Sequence, residues 1–201
     1  YRETFPGYLW QSGSSGGRDY SYMDHNDGLL KEANYENAMN VVIPLIEQAE
    51  EEVLIYTFAF SDNVIIDRLI KAHEQRGVDV RVFMDYQMYR ALFRFNAFAY
   101  REMAESVNSV KITRKPDNGL LHHKVIMIDN EILIFGSLNY SSNAVTSNDE
   151  NFLVVRNAAP LVEAFKSEIS RLNKHSKDLL DLEKFTGSYD VTNDEVAPFV
   201  P

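Results

Sequence analysis

Cysteine is missing from this 201-residue sequence altogether, which rules out disulfides and thiolate zinc sites and leaves the redox compartment open. No stretch approaches the roughly 18 consecutive apolar residues that a membrane-spanning helix needs. The sequence starts at Tyr1 with neither Met nor a signal-like segment, so a periplasmic or secreted location is expected only if an export signal was removed upstream, and localisation stays unknown. Positive charge is scarce as well: 20 Lys and Arg stand against 30 Asp and Glu, a net charge of -10. That sum argues against a protein that coats nucleic acid by overall charge.

What is present is enough for one core. With 45% hydrophobic residues in 201, a single domain with a substantial interior is expected, and two independent domains are not. Positive charge is also unevenly spread. Between Tyr86 and Lys124 seven positive residues (Arg90, Arg94, Arg101, Lys111, Arg114, Lys115, Lys124) face three negative ones, a local net of +4 in an otherwise acidic chain.

Residues 1–28 show no sustained period, and Ser12-Gly13-Ser14-Ser15-Gly16-Gly17 has linker composition, so an irregular N-terminal extension is expected there. A helical pattern runs from about Leu30 to Glu52, with Ala38, Val42, Leu45, Ile46 and Ala49 on one face and Pro44 as a kink or a restart. Val53–Phe60 reads as a buried strand and Val78–Met84 as a second. Between them lies a helix capped by Ser61 or Asp62 and stopped by Gly77, carrying Val64, Ile65, Leu69 and Ile70. Strand, helix, strand is the pattern of a parallel crossover.

Gln87–Ser106 reads as a helix or helical loop in which Tyr89, Phe93, Phe98 and Tyr100 alternate with Arg90, Arg94 and Arg101. Such interleaving suits base stacking and phosphate contact, but it equally suits a helix with an aromatic core face and a solvated basic face. Val110–Arg114 is a short strand, and the turn after it carries Lys115 close to the segment His122–Asp129. A last helix is expected from Ala158 to Lys177 with Leu161, Phe165, Ile169 and Leu172 on one face, and a loosely packed acidic tail over 178–201. A single catalytic domain over 29–177 lies between the two ends, an α/β arrangement of a mixed β-sheet flanked by helices on both faces.

The chemistry concentrates in His122-His123-Lys124-Val125-Ile126-Met127-Ile128-Asp129, followed by Gly136-Ser137-Leu138-Asn139 and by Glu150. In a strand His122 and Lys124 share a face and His123 turns away as a structural neighbour. A neutral imidazole can attack a phosphate ester while an ammonium, a hydroxyl and a carboxamide hold the oxygens. Lys124, Ser137 and Asn139 are the candidates for holding, and Glu150 is the candidate carboxylate that orients His122. Gly136 permits close backbone approach. Asp129 also suits a purely structural place, ending a strand before Asn130, which tolerates positive φ in a hairpin turn. A strand histidine taken alone is more often structural than catalytic; the neighbouring positions supply the context a motif needs.

HxKxxxxD, six residues, then GSxN resembles the signature of the phospholipase D superfamily, met here by His122, Lys124, Asp129, Gly136, Ser137 and Asn139 without substitution. The resemblance covers roughly Asn34 to Lys177. A single motif copy is similar to the bacterial Nuc-type endonucleases and the mitochondrial phospholipase D-like proteins. It implies the phospholipase D/nuclease fold and a homodimer with the active site at the twofold interface. It also implies phosphodiester hydrolysis through a phosphohistidine, with no cofactor and no metal. The expected substrate is DNA or RNA, with Arg90, Arg94, Arg101, Arg114 and Lys115 as candidate contacts. A phospholipid, such as cardiolipin or a phosphatidyl substrate, is the alternative. A non-catalytic nucleic-acid-binding protein is the third reading, against which the complete motif speaks.

Overall fold

The computed structural model describes residues 8–14, 20–24, 30–33, 38–115, 119–141, 144 and 148–186. Ten strands occur among them: β1 (Tyr8–Ser14), β2 (Tyr20–Asp24), β3 (Leu30–Ala33), β4 (Glu52–Thr57), β5 (Asp79–Asp85), β6 (Ser109–Thr113), β7 (Lys124–Ile128), β8 (Ile132–Gly136), β9 (Asp149–Val155) and β10 (Ser176–Asp178). They form one sheet in the order β10-β6-β5-β4-β7-β8-β9-β1-β2-β3. Only the β4–β5 and β5–β6 pairings are parallel; the others are antiparallel. The sheet is therefore mixed, as expected.

The parallel part follows from local signals. Helix α2 (Asn63–Arg76) begins where the Asp62 carboxylate accepts from the Val64 and Ile65 amides, and it ends at Gly77 with φ of 73°. The crossover then returns the chain to β5 beside β4. Ile65, Ile66, Leu69 and Ala72 form the buried face of α2, whereas Val64 lies half outside. Helix α1 (Met39–Glu47) runs through Pro44 and buries Val42, Leu45 and Ile46. Helix α3 (Tyr86–Ser106) is capped by Asp85.

Alternation along the central strands sorts their side chains between two cores. Val53, Ile55, Val80, Val82, Ile126 and Ile128 face α1, α2 and α3. Leu54, Tyr56, Phe83, Val125 and Met127 face the opposite side, where Val162 of α4 (Ala159–Lys166) and Leu172 of α5 (Glu168–Asn173) cover them. Helices thus lie on both faces.

Four expectations are corrected. Residues 1–28 contain β1 and β2, which extend the sheet beyond β9 in antiparallel register, with Leu9 opposite Val154 and Gln11 opposite Phe152. Strand pairing is decided by a distant partner, so no local period announced it. For the same reason Leu30–Ala33 is the strand β3, and the helix expected from Leu30 starts only at Met39. The helix expected over Ala158–Lys177 breaks into α4 and α5 and ends in β10; Leu161 is exposed on it. The tail expected from 178 begins instead with α6 (Leu179–Thr186), whose Leu179 is fully buried. Residues 187–201 lie outside the described residues, as does Pro116-Asp117-Asn118 of the turn after β6.

At the β7–β8 turn Asp129 and Asn130 both take positive φ, 52° and 54°. The Asp129 carboxylate accepts from the backbone N–H groups of Glu50 (3.0 Å), Glu51 (2.8 Å) and Glu52 (3.0 Å), fastening the turn to the start of β4. Asp129→Ala removes that shared acceptor, although water still reaches two of the amides. The expected cost is about 1–2 kcal/mol, or about 2–8 °C in Tm for a domain of this size. Thermal melts of the two proteins check it, and an unchanged Tm would show that the turn holds without the carboxylate.

Candidate active site

Strand direction gathers the motif. The parallel strands β4, β5 and β6 all finish at one edge of the sheet, β7 begins there with Lys124 opposite Thr57, β8 ends there at Gly136, and β9 starts there. Ligand sites in open α/β sheets lie at this edge, beyond the carboxyl ends of the parallel strands. Asp129 sits at the other end of β7, about 16 Å away along a five-residue strand. Its carboxylate is spent on the Glu50–Glu52 amides. Placing Asp129 among the catalytic residues is therefore corrected to a fastening role.

The segment leaving β4 holds both halves of the motif. Phe58 N donates to the His123 carbonyl at 2.8 Å, Tyr140 N donates to the Ala59 carbonyl at 3.1 Å, and Ser61 N donates to the Tyr140 carbonyl at 2.8 Å. His122 itself precedes β7 rather than lying in it, and its side chain is exposed. Its ring centroid is 4.5 Å from that of Phe58, tilted by 53°. Lys124 is buried at 6% exposure. Its ammonium lies 4.9 Å from the Phe58 ring centroid and donates to the His122 carbonyl at 2.9 Å. Both motif side chains thus contact one aromatic ring.

Burial pushes the Lys124 ammonium below its ordinary pKa, because a charge loses hydration there; the Glu150 and Asp85 carboxylates pull it partly back up. Ser137 Oγ donates to Glu150 Oε2 at 2.6 Å and accepts from the Asn151 amide at 3.0 Å. Asn148 donates to the other Glu150 oxygen at 2.9 Å. Glu150 was expected to orient His122, but among the described residues its hydrogen bonds go to Ser137 and Asn148 instead. Asn139 carries a buried side-chain oxygen with no hydrogen-bond partner among the described residues. Such an orphan costs about 1–3 kcal/mol unless something outside the chain serves it.

Gly136 is required by close approach. A Cβ there would stand 2.2 Å from the Asn151 carbonyl oxygen and 2.6 Å from the Phe152 Cα, both on the neighbouring strand. The glycine thus serves the β8–β9 pairing that brings Ser137 onto Glu150. On the opposite face His123 packs edge-on against Tyr56 at 6.0 Å, and burial lowers its pKa.

The five basic candidates separate. Arg114 and Arg90 lie over the Tyr86 ring, at 5.1 and 5.7 Å from its centroid. Arg94 instead lies over Phe95 at 4.6 Å, and Arg101 approaches Glu105 at 3.4 Å. Lys115, half-buried after β6, exerts its charge on His123 and Glu168. The aromatic residues of α3 divide in the same way: Tyr89, Phe93 and Tyr100 are core, while Phe95 and Phe98 are exposed at 71% and 80%.

Two further residues at this edge support the motif, and only the first carries a sequence signal. Asp85, 1% exposed, caps α3 through the Gln87 and Met88 amides and also accepts from Leu121 N at 2.8 Å, one residue before His122. Its place between a strand and a helix is a cap signature. Phe58 stood inside an expected strand with nothing local to distinguish it. Among the described residues no group of three or more His, Asp or Glu side chains is placed to hold a metal ion, and no described helix is long and apolar enough to cross a membrane.

Comparison with known proteins places this geometry. A family model described as cardiolipin synthase, PLD-like domain, matches residues 42–173. A phospholipase D of Rickettsia prowazekii is 32% identical over 114 residues, 57% of this chain and 52% of the relative. The mitochondrial cardiolipin hydrolase of Mus musculus is 29% identical over 137 residues, 68% of this chain and 58% of the relative. The chain thus spans about half the length of these curated relatives. Among solved structures, Nuc from Salmonella typhimurium, a phospholipase D family member, superposes with a TM-score of 0.63 at 27% identity, covering 70% of this chain and 90% of Nuc.

The electrostatics of the cluster give a signed expectation. A lysine is charged below its pKa, so Glu150→Gln, which removes a carboxylate that holds Lys124 up, should move its titration to still lower pH. NMR titration of isotopically labelled lysine side chains measures this. An unmoved or raised Lys124 titration would show that the two groups are not coupled.

Proposed function

The chain belongs to the phospholipase D superfamily, and on that premise we propose that it is a phosphodiesterase that cleaves nucleic acid through a phosphohistidine, without a metal. The supporting observation is that an exposed imidazole and a buried ammonium contact one ring at the edge where the Asn139 loop begins. A negatively charged, oxygen-rich group suits the Lys124 ammonium and the N–H groups of the Asn139 carboxamide, because a fixed cation and neutral donors are worth most where water is excluded.

In the proposed reaction His122 attacks phosphorus, the P–N bond forms, and the P–O bond to the leaving group breaks. His122 of a second copy gives its proton to the leaving oxygen. That second imidazole, now neutral, takes a proton from water as the water oxygen attacks phosphorus; the P–N bond breaks and both histidines are restored. Lys124 and Asn139 hold the oxygens on which charge develops. Ser137 supports them by fixing Glu150, whose negative charge keeps the buried Lys124 cationic. The twofold arrangement is the one that the resemblance to single-motif family members implies, with the second copy supplying the acid.

Nucleic acid is favoured over lipid by the Arg90–Tyr86–Arg114 group, whose Tyr86 directly follows Asp85, the residue that holds Leu121 beside His122. Guanidinium groups over an aromatic ring suit a backbone phosphate and a stacked base. The second reading, hydrolysis of a cardiolipin-type diester, draws on the curated relative of that name.

A side-by-side assay on oligonucleotides and cardiolipin vesicles decides between them. Oligonucleotide cleavage is expected, falling by roughly a thousandfold or more in His122→Ala, with the fold retained and with the rate unchanged in EDTA. Cleavage of vesicles alone would establish the lipid reading, and loss of activity in EDTA restored by a divalent ion would overturn the metal-free step. Arg114→Ala should weaken oligonucleotide binding and lower the slope of log affinity against log salt by about one, as expected for one lost phosphate contact.

A further inference from the structure

The geometry points to Phe58 as a positioning residue of the site: its ring contacts both the His122 imidazole and the Lys124 ammonium, aligning the first and supporting the second. The kinetic part of this inference rests on the proposed phosphodiesterase reading; the spectroscopic part does not. No motif position includes Phe58, and it lies 64 residues before His122 in sequence.

Three observations carry it. The Phe58 backbone is pinned, because its N–H donates to the His123 carbonyl at 2.8 Å while the preceding Thr57 is paired with Lys124 across the β4–β7 ladder. The ring therefore has a fixed origin against the motif. Its centroid lies 4.5 Å from the exposed His122 imidazole and 4.9 Å from Lys124 Nζ, so the same side chain touches both. Among the described residues His122 is hydrogen-bonded through its carbonyl, which accepts from Lys124. Among the described residues its imidazole has no hydrogen bond, and the ring contact with Phe58 is what limits its rotation.

The physics of the two contacts differs. An imidazole that must attack along one line loses rate when its χ angles wander, and a flanking ring narrows the rotamers without engaging either nitrogen. For the ammonium, the negative face of an aromatic ring offers electrostatic support where water has been displaced. An aliphatic side chain of similar volume would displace the same water and give no such support. Phe58→Leu therefore separates the ring's electrostatics from simple burial, and Phe58→Tyr restores the ring.

The test uses the whole chain, with wild type, Phe58→Leu and Phe58→Tyr each shown folded by thermal melting; if Phe58→Leu does not fold, Phe58→Met takes its place. In NMR titrations, the Lys124 titration should move to lower pH by about half a unit or more in the aliphatic variant and return in Phe58→Tyr. The His122 ring signals should shift or broaden in the aliphatic variant as the imidazole samples more orientations. On whichever diester the wild type cleaves, kcat should fall by about tenfold or more with KM within about threefold. The alkaline limb of the pH–rate profile should move with Lys124, and Phe58→Tyr should recover the rate. An unmoved or raised Lys124 titration, or a folded aliphatic variant with wild-type kcat, would overturn the role given to Phe58. If wild type cleaves no diester, the proposed function fails while the NMR comparison still decides the role of Phe58.

Discussion

Five consecutive residues, Phe58 to Asp62, hold the two halves of the motif together. They leave β4 at the sheet edge and make backbone hydrogen bonds to His123 on one side and to Tyr140 on the other. Helix α3 braces the same segment: the Tyr100 hydroxyl donates to the Phe60 carbonyl, and Asn96 donates to the Ser61 carbonyl at 3.2 Å. Backbone groups in this position must be paired because they are buried, and each pairing removes freedom from a loop that carries chemistry. Without that segment, the stretch ending in Lys124 and the loop starting at Gly136 would be joined only by their own hairpin.

A second constraint is electrostatic. Burying Lys124 is costly, and the structure offsets the cost with two carboxylates and an aromatic face. Each carboxylate is itself held by other work: Glu150 by Ser137 and Asn148, Asp85 by the head of α3 and Leu121. The charge balance of the site is thus built into the same hydrogen bonds that shape it. This explains how a chain of net charge -10 can hold a local cation at the sheet edge. Three consecutive acidic residues, Glu50, Glu51 and Glu52, contribute amides to Asp129 at the opposite end of β7.

Much of the centre was legible in the residues. Asp62 and Gly77 delimit α2 through contacts within a few residues of each helix end, and the positive φ of Asn130 belongs to a two-residue turn. The motif spacing was legible too, because hairpin length sets which residues return to one edge. Roles were less so. Gly136 reads as a place of close backbone approach, but only the structure names β9 as what approaches, and Glu150 reads as a partner for His122 until Ser137 is found on it. Among the basic residues, only geometry separates Arg90 and Arg114, which share Tyr86, from Arg94 and Arg101, which do not.

The sequence by itself determined the central crossover, the reactive residue types and their spacing, since caps, turns and periodicity act over a few positions. Only the tertiary structure decided that β1–β3 widen the sheet, that α4 and α5 part company, that Asp129 lies at the far end of β7 from Lys124 and that Phe58 contacts both His122 and Lys124. Those outcomes depend on partners dozens of residues away, and a contact of that range leaves no periodic or capping mark in either of the segments it joins.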